Sequence, residues 1–237
     1  MAKNFAGIAE RYARDVVAGK VPACRWVRLA CQRHLDDLTA SKGKAYPYRF
    51  DAAAAAKACA FIELMPHTKG KWAAKGERLI LSPWQVFKTA ALFGWLRKKD
   101  GYRRFRKALI LEPRKNGKSA WAAAVGLYML TIDGEHGAEV YSGATTEKQA
   151  WEIFRPARLM ALKSPQLASA VGLTVNASNL HMLGNESRFE PLIGKPGDGS
   201  SPHCALIDEY HEHETDDMVS TMETGMGARE QPFMLII

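Results

Sequence analysis

Apolar residues recur at helical spacing through Ile8, Tyr12, Val16 and Val17, and again through Trp26, Val27, Leu29, Ala30 and Leu35. This predicts two helices within residues 4–40, separated by Gly19-Lys20-Val21-Pro22. Residues 41–49 read as a loop, after which Asp51 caps an alanine-rich helix ending near Leu64. Residues 67–76 read as a basic loop. Ser82-Pro83 then opens a helix expected to run to about Arg97, with the proline in its first turn. Downstream the pattern changes. Short apolar runs near 107–111, 138–143, 204–208 and 233–237 alternate with helical stretches at 120–132, 147–163 and 218–225. The face Ala150, Phe154, Ala157 and Met160 marks the second of these helices as amphipathic. Residues 170–203 suggest short strands or hairpins, with a flexible loop at 194–201. Strands alternating with helices predict an α/β fold with a mostly parallel sheet, preceded by a helical N-terminal region. The boundary is set at 78/79: residues 1–78 helical, residues 79–237 the core.

Residues 106–119 carry the first chemistry: Arg-Lys-Ala-Leu-Ile-Leu-Glu-Pro-Arg-Lys-Asn-Gly-Lys-Ser. An apolar strand feeds a polar turn that opens a helix at Gly117-Lys118-Ser119. A triphosphate is held by backbone N–H groups converging on a helix N-terminus, where the dipole favours negative charge. Gly117 lets the backbone approach, Lys118 reaches the β/γ oxygens and the Ser119 hydroxyl holds Mg²⁺. The loop departs from G-x-x-x-x-G-K-[ST] at its first glycine, where Glu112 stands. A second run, Cys204-Ala-Leu-Ile-Asp-Glu209, ends in two carboxylates. At the carboxyl end of a parallel strand these reach the edge where ligands bind. Asp208 then serves the Mg²⁺ shell and Glu209 orients the attacking water. The following Tyr210-His211-Glu212-His213-Glu214 fits no zinc spacing and reads as a solvated loop.

Composition adds boundaries. A chain of 237 residues with 47% hydrophobic and 24% charged residues can build one sizeable core. No apolar stretch approaches membrane-spanning length, no signal-peptide core follows the N-terminus, and no membrane role is expected. Cys24, Cys31, Cys59 and Cys204 form no C-x-x-C pair and read as reduced thiols of a cytosolic protein. The net charge of +8 is uneven: residues 1–118 hold 26 Lys and Arg against 9 Asp and Glu, residues 119–237 hold 7 against 16. The clusters Arg97-Lys98-Lys99 and Arg103-Arg104-Phe105-Arg106-Lys107 suit a polyanion through counterion release. A solvated helix end and turn is the plain alternative.

With these sites placed, the chain resembles the ATPase half of the large terminase subunit of tailed bacteriophages, from about residue 8 to 237. The most specific stretch is Pro113-Arg-Lys-Asn-Gly-Lys-Ser119, similar to the deviant phosphate loop of one terminase branch. It accounts for the missing glycine at 112 and brings Arg114, Lys115 and Asn116 into the nucleotide site. Leu81-Ser-Pro-Trp-Gln85 resembles the adenine-reading segment, which implies that Gln85 contacts the base. Ala144-Thr-Thr-Glu-Lys-Gln-Ala150, Leu206-Ile-Asp-Glu-Tyr-His211 and Arg229-Glu-Gln-Pro-Phe-Met-Leu-Ile-Ile237 also agree with the family. The resemblance implies an ASCE-type P-loop NTPase that uses ATP and Mg²⁺ to drive DNA into procapsids.

The implied partners are double-stranded DNA, the portal protein, the small terminase subunit and further copies in a homo-oligomeric ring, expected to be a pentamer. The implied location is the host cytoplasm, docked transiently on the procapsid. Such rings complete their sites with an arginine from a neighbouring subunit. Arg229 is the first choice for it, Arg188 the second, while Arg114 acts within its own subunit. The family's C-terminal nuclease domain is absent from this chain, which ends on a strand with no polar tail and reads as cut. The fragment is accordingly expected to be weak or inactive in turnover. A helicase-like or other P-loop NTPase acting on nucleic acid is one alternative. A non-enzymatic DNA-binding module using residues 97–107 is the other.

Overall fold

The structure is a computed structural model that describes residues 3–193 and 199–237. The chain divides into two compact units, Met1–Glu63 with Ile80–Phe105, and Leu64–Leu79 with Arg106–Ile237. Residues 80–105 thus group with the N-terminal helices, whereas the sequence pattern places them with the core.

The first unit contains α1 (Phe5–Val17), α2 (Arg25–Ala40), β1 (Tyr48–Phe50) and α3 (Ala52–Leu64, its last residue assigned to the other unit). In the second unit comes the short α4 (Gly70–Ala74), where the polar composition of 67–76 predicts only loop. The first unit resumes with α5 (Pro83–Gly94) and β2 (Trp95–Arg97). As expected, Asp51 caps α3, its carboxylate accepting from Ala54 N at 2.9 Å. The helix from Pro83 stops three residues early, because Trp95–Arg97 pairs antiparallel with Tyr48–Phe50. Gly94 permits that close approach: a Cβ there would lie 2.6 Å from Phe50 Cε2. A strand pair whose members lie some 47 residues apart leaves no local periodicity to read.

The second unit continues with β3 (Lys107–Leu109), α6 (Lys118–Thr131), β4 (Glu139–Ala144), α7 (Glu147–Leu162), α8 (Pro165–Val171), β5 (Leu173–Val175), β6 (Leu180–Met182), β7 (Ser187–Ile193), β8 (Pro202–Ile207), α9 (Asp217–Gly225) and β9 (Phe233–Ile236). All seven strands form one sheet in the order β3-β9-β8-β4-β7-β6-β5. The first five of that order run parallel, and β6 and β5 complete the sheet antiparallel. The four apolar runs predicted as strands therefore share one sheet, as the α/β reading requires. Of the expected loop 194–201, residues 194–198 lie outside the described residues.

Alternation along β8 assigns its two faces. Leu206 points at α6, where Gly126 lets helix and sheet meet: a Cβ there would lie 2.8 Å from Leu206 Cδ1. Ala205 and Ile207 point the other way, into a cluster with Met218, Val219 and Met222 of α9. Every residue of β8 and of β9 is buried, which explains their unbroken apolar runs.

Candidate functional site

The loop between β3 and α6 folds by local rules. Asn116 Nδ2 donates to Pro113 O at 3.2 Å, closing a turn in which Lys115 takes a left-handed conformation, φ +69°. Gly117, at φ +79°, is the N-cap of α6, a conformation that suits glycine. Lys118 and Ser119 therefore begin a helix whose first N–H groups face the loop.

The second half of the site comes from the end of β8. Asp208 N donates to Gly143 O at 3.3 Å, so the sheet ladder carries the chain up to the first carboxylate. Asp208 is only 4% exposed. Burial, and next the charge of Glu209, push its carboxyl up to about 6, against the lowering effect of Lys118. Glu209 breaks the strand direction with φ +47°, a left-handed conformation costing about 1–2 kcal/mol for a residue with a Cβ. Its N–H donates back to Asp208 Oδ1 at 3.0 Å. Its Oε1 lies 3.8 Å from Lys118 Nζ, and its Oε2 lies 3.4 Å from His211 Nδ1. The fold thus joins two segments ninety residues apart in sequence around one lysine.

A cleft of about 790 Å³ opens here, lined by Lys115, Gly117, Lys118, Ser119, Asp208 and Glu209 among others. It is also lined by Thr146, the N-cap of α7, by Lys148, Gln149 and Glu152 of α7, and by Glu212. The sequence offers Thr146 as a helix cap and 144–150 as a family-like segment, but gives Lys148, Gln149 and Glu152 no part in the site; the Thr-x-x-Gln helix-start signature at 146–149 is the available signal. Arg114 is exposed and lines both this cleft and a neighbouring cavity of about 630 Å³, where Leu109, Leu111, Ile236 and Ile237 supply an apolar wall. The donor set fits a hard cation. A buried carboxylate beside a second carboxylate, with a serine hydroxyl in the same cleft, stays raised to about 6 even with Lys118 present, so a further cation is favoured there.

Other expected site residues make contacts of their own. Gln85 belongs to the first unit, where its Oε1 accepts from Ser82 N at 2.9 Å and completes a capping box on α5. Arg229, the first choice for a finger reaching a neighbouring subunit, is engaged in its own chain. It donates to Ser201 O at 2.9 Å, Gly137 O at 2.8 Å and His136 O at 3.3 Å, and pairs with Glu135 at 3.0 Å. Ser201 and Gly137 precede β8 and β4, so Arg229 sits at the amino ends of the strands. It lies a six-residue strand, roughly 20 Å, from Asp208. Its side chain is 14% exposed, and reaching another subunit requires breaking all four contacts. Arg188, donating to Tyr141 Oη at 3.0 Å and opposite Glu139 in the ladder, lies at the same end.

Much of the basic run 97–107 is paired within the chain, although Lys98, Lys99, Arg106 and Lys107 stay exposed. Arg97 pairs with Asp100 at 2.9 Å, and Lys98 donates to Ser41 O and Gly43 O at 3.0 and 2.7 Å. Arg103 is 4% exposed, and Arg104 pairs with Asp37 at 2.5 Å. Arg106 donates to Glu230 O and Lys107 pairs with Glu223 at 2.7 Å.

Residues 83–237 match the family model described as terminase large subunit, ATPase domain. The chain is 29% identical over 135 residues to the large subunit of the terminase of Enterobacteria phage HK97, covering 55% of this chain and 27% of that protein. It is 67% identical over 43 residues to protein YmfN of Escherichia coli K12, covering 18% and 10% respectively. The crystal structure of the HK97 bacteriophage large terminase superposes with a TM-score of 0.64 at 25% identity, covering 77% of this chain and 37% of that one. The chain therefore spans well under half the length of each of these proteins.

Proposed function

The chain belongs to the family of the terminase large subunit ATPase domain, and from that premise we propose that it binds ATP in the 790 Å³ cleft and hydrolyses it as the ATPase of a viral DNA-packaging motor. The observation that carries this reading is the convergence of Lys118, Asp208 and Glu209, with Nζ and Oε1 3.8 Å apart. The Gly117 turn and the first N–H groups of α6 receive the phosphates, with Lys115 and Asn116 shaping the loop and Arg114 acting from its rim in its own subunit. Lys118 supplies the cation opposite the β/γ oxygens. Asp208 and Ser119 would hold Mg²⁺, which when bound neutralises charge developing on the phosphates. Glu209, half-buried and turned out of the strand, accepts a hydrogen bond from the attacking water and orients it. Gln85 is the family-derived candidate for reading adenine. At the level of the whole motor the proposed partners are double-stranded DNA, portal protein, small terminase subunit and further copies in a ring. Among the described residues no helix is long and apolar enough to cross a membrane.

Nucleotide binding and hydrolysis by three proteins test the reading. Lys118→Ala should weaken ATP binding by roughly a hundredfold or more, because it removes the charge-assisted contacts to the phosphates. Glu209→Gln should keep binding and lose turnover in the intact motor. Wild-type affinity in Lys118→Ala, or wild-type hydrolysis in Glu209→Gln, would refute the assigned roles.

A further inference from the structure

Two glutamines in this chain hold the same local position. Ser82-Pro83-Trp84-Gln85 and Thr146-Glu147-Lys148-Gln149 each open a helix with a hydroxyl residue at the N-cap and a glutamine three residues on. A glutamine there ordinarily folds back to accept from the N-cap N–H. Gln85 does so. Gln149 does not: its Oε1 accepts from the Thr145 and Thr146 hydroxyls at 2.8 and 2.9 Å, and its Nε2 donates across the cleft to the Glu212 carboxylate. The helix is capped without that outward bond, since Thr146 Oγ1 accepts from Gln149 N at 3.3 Å.

The outward bond ends on the turn that carries Glu209. That residue is the N-cap of the single 3₁₀ turn Tyr210–Glu212, in which Glu212 N donates to Glu209 O at 2.9 Å. His213 N donates to Tyr210 O at 3.1 Å in the same turn. A left-handed residue with a Cβ persists only where its surroundings over-determine it. The Asp208 carboxylate fixes the turn from the strand side, and Gln149 fixes it from the α7 side. Thr146, Gln149 and Glu212 all line the cleft shared by Lys118, Ser119 and Asp208.

We infer that Gln149 is a positioning residue for Glu209, bracketing the strained turn so that the carboxylate is held over the phosphate loop. The inference rests on the reading of Glu209 as the group that orients water. Displacing such a group by about 1 Å costs on the order of a hundredfold in rate.

The test exchanges the partners. Gln149→Glu keeps the side-chain size and the two threonine contacts but sets a carboxylate against Glu212. The reversed pair, Gln149→Glu with Glu212→Gln, restores one donor and one acceptor. In the intact motor Gln149→Glu should lower kcat roughly ten- to a hundredfold, a loss that saturating ATP does not relieve. It should also speed hydrogen exchange at the Glu212 and His213 amides. The reversed pair should recover both. Unchanged exchange in Gln149→Glu, or a reversed pair no better than the single variant, overturns the bracket. Altered exchange with unaltered kcat assigns Gln149 a structural role only and equally overturns the inference. Failure of the wild-type chain to bind ATP would instead refute the proposed nucleotide site, and the exchange measurement, which needs no turnover, would still decide whether the bracket exists.

Discussion

One buried acid in each unit, Asp37 in the first and Asp208 in the second, meets its surroundings in opposite ways. The first holds 17 Lys and Arg against 7 Asp and Glu, the second 16 against 18. Yet the buried acid of the basic unit is matched. Asp37 pairs with Arg104 and accepts from Tyr46 Oη, and His34 Nδ1 accepts from Trp95 Nε1 at 3.0 Å. The buried acid of the second unit has as its nearest charged neighbour in sequence another acid, and its cation, Lys118, is the one expected to face phosphate. Breaking a matched buried pair is destabilising, whereas a buried acid raised by a neighbouring acid in a cleft marks a candidate functional site. The same pair of contrasts separates Gln85, turned back on its own helix, from Gln149, turned out across the cleft.

Removing one cation from each unit should break the comparison most sharply. Arg104→Met leaves Asp37 and Tyr46 without their buried partner and should cost about 2–3 kcal/mol in urea unfolding. Lys118→Ala leaves a longer, more exposed pair and should cost less than about 1 kcal/mol in the same measurement. Equal costs would erase the distinction.

Acid should then move the units apart. Burial holds His34 down to about 4 from the usual 6.5, so its share of stability is complete above pH 6.5 and is lost as pH falls toward 4. Asp208 is pushed up to about 6, so the folded state binds that proton more tightly than the unfolded chain does. Without nucleotide or Mg²⁺ the second unit therefore gains stability as pH falls from above 6 toward 3.8. Hydrogen exchange at pH 7 and pH 5 should show protection falling in α2 and rising around β8. Asp208→Asn should remove the rise and stabilise the ligand-free second unit by about 1 kcal/mol at pH 7. A rise that survives Asp208→Asn would assign it to another group.

The smallest expected effect is at Gln85. Its replacement by alanine removes half of a capping box and should lower stability by about 1 kcal/mol or less. Measuring ATP and GTP affinity on the same variant sharpens the point: equal affinities would leave Gln85 with the cap alone.

Much of the site was legible because it is local. A strand, a turn with Asn116 and Gly117, and a helix opening at Lys118 are consecutive in the chain, and Asp208 and Glu209 follow directly from a strand whose burial shows as an apolar run. Hydrophobic period and capping chemistry, which act over a few residues, determine such features. The parallel sheet follows from them because strands linked by helices return in the same direction. What the sequence could not decide is which distant atom each polar side chain meets. Arg106 finds Glu230 and Lys107 finds Glu223, more than a hundred residues on, so two exposed charges of the basic run are held by partners that no local pattern announces. Arg229 is similarly claimed by carbonyls at the amino ends of β4 and β8. Two glutamines with one local signature take different partners because only one of them faces a strained turn. Backbone propensity is a property of neighbours in sequence, but a hydrogen bond is made to whichever group the packing of the sheet and helices brings within about 3 Å.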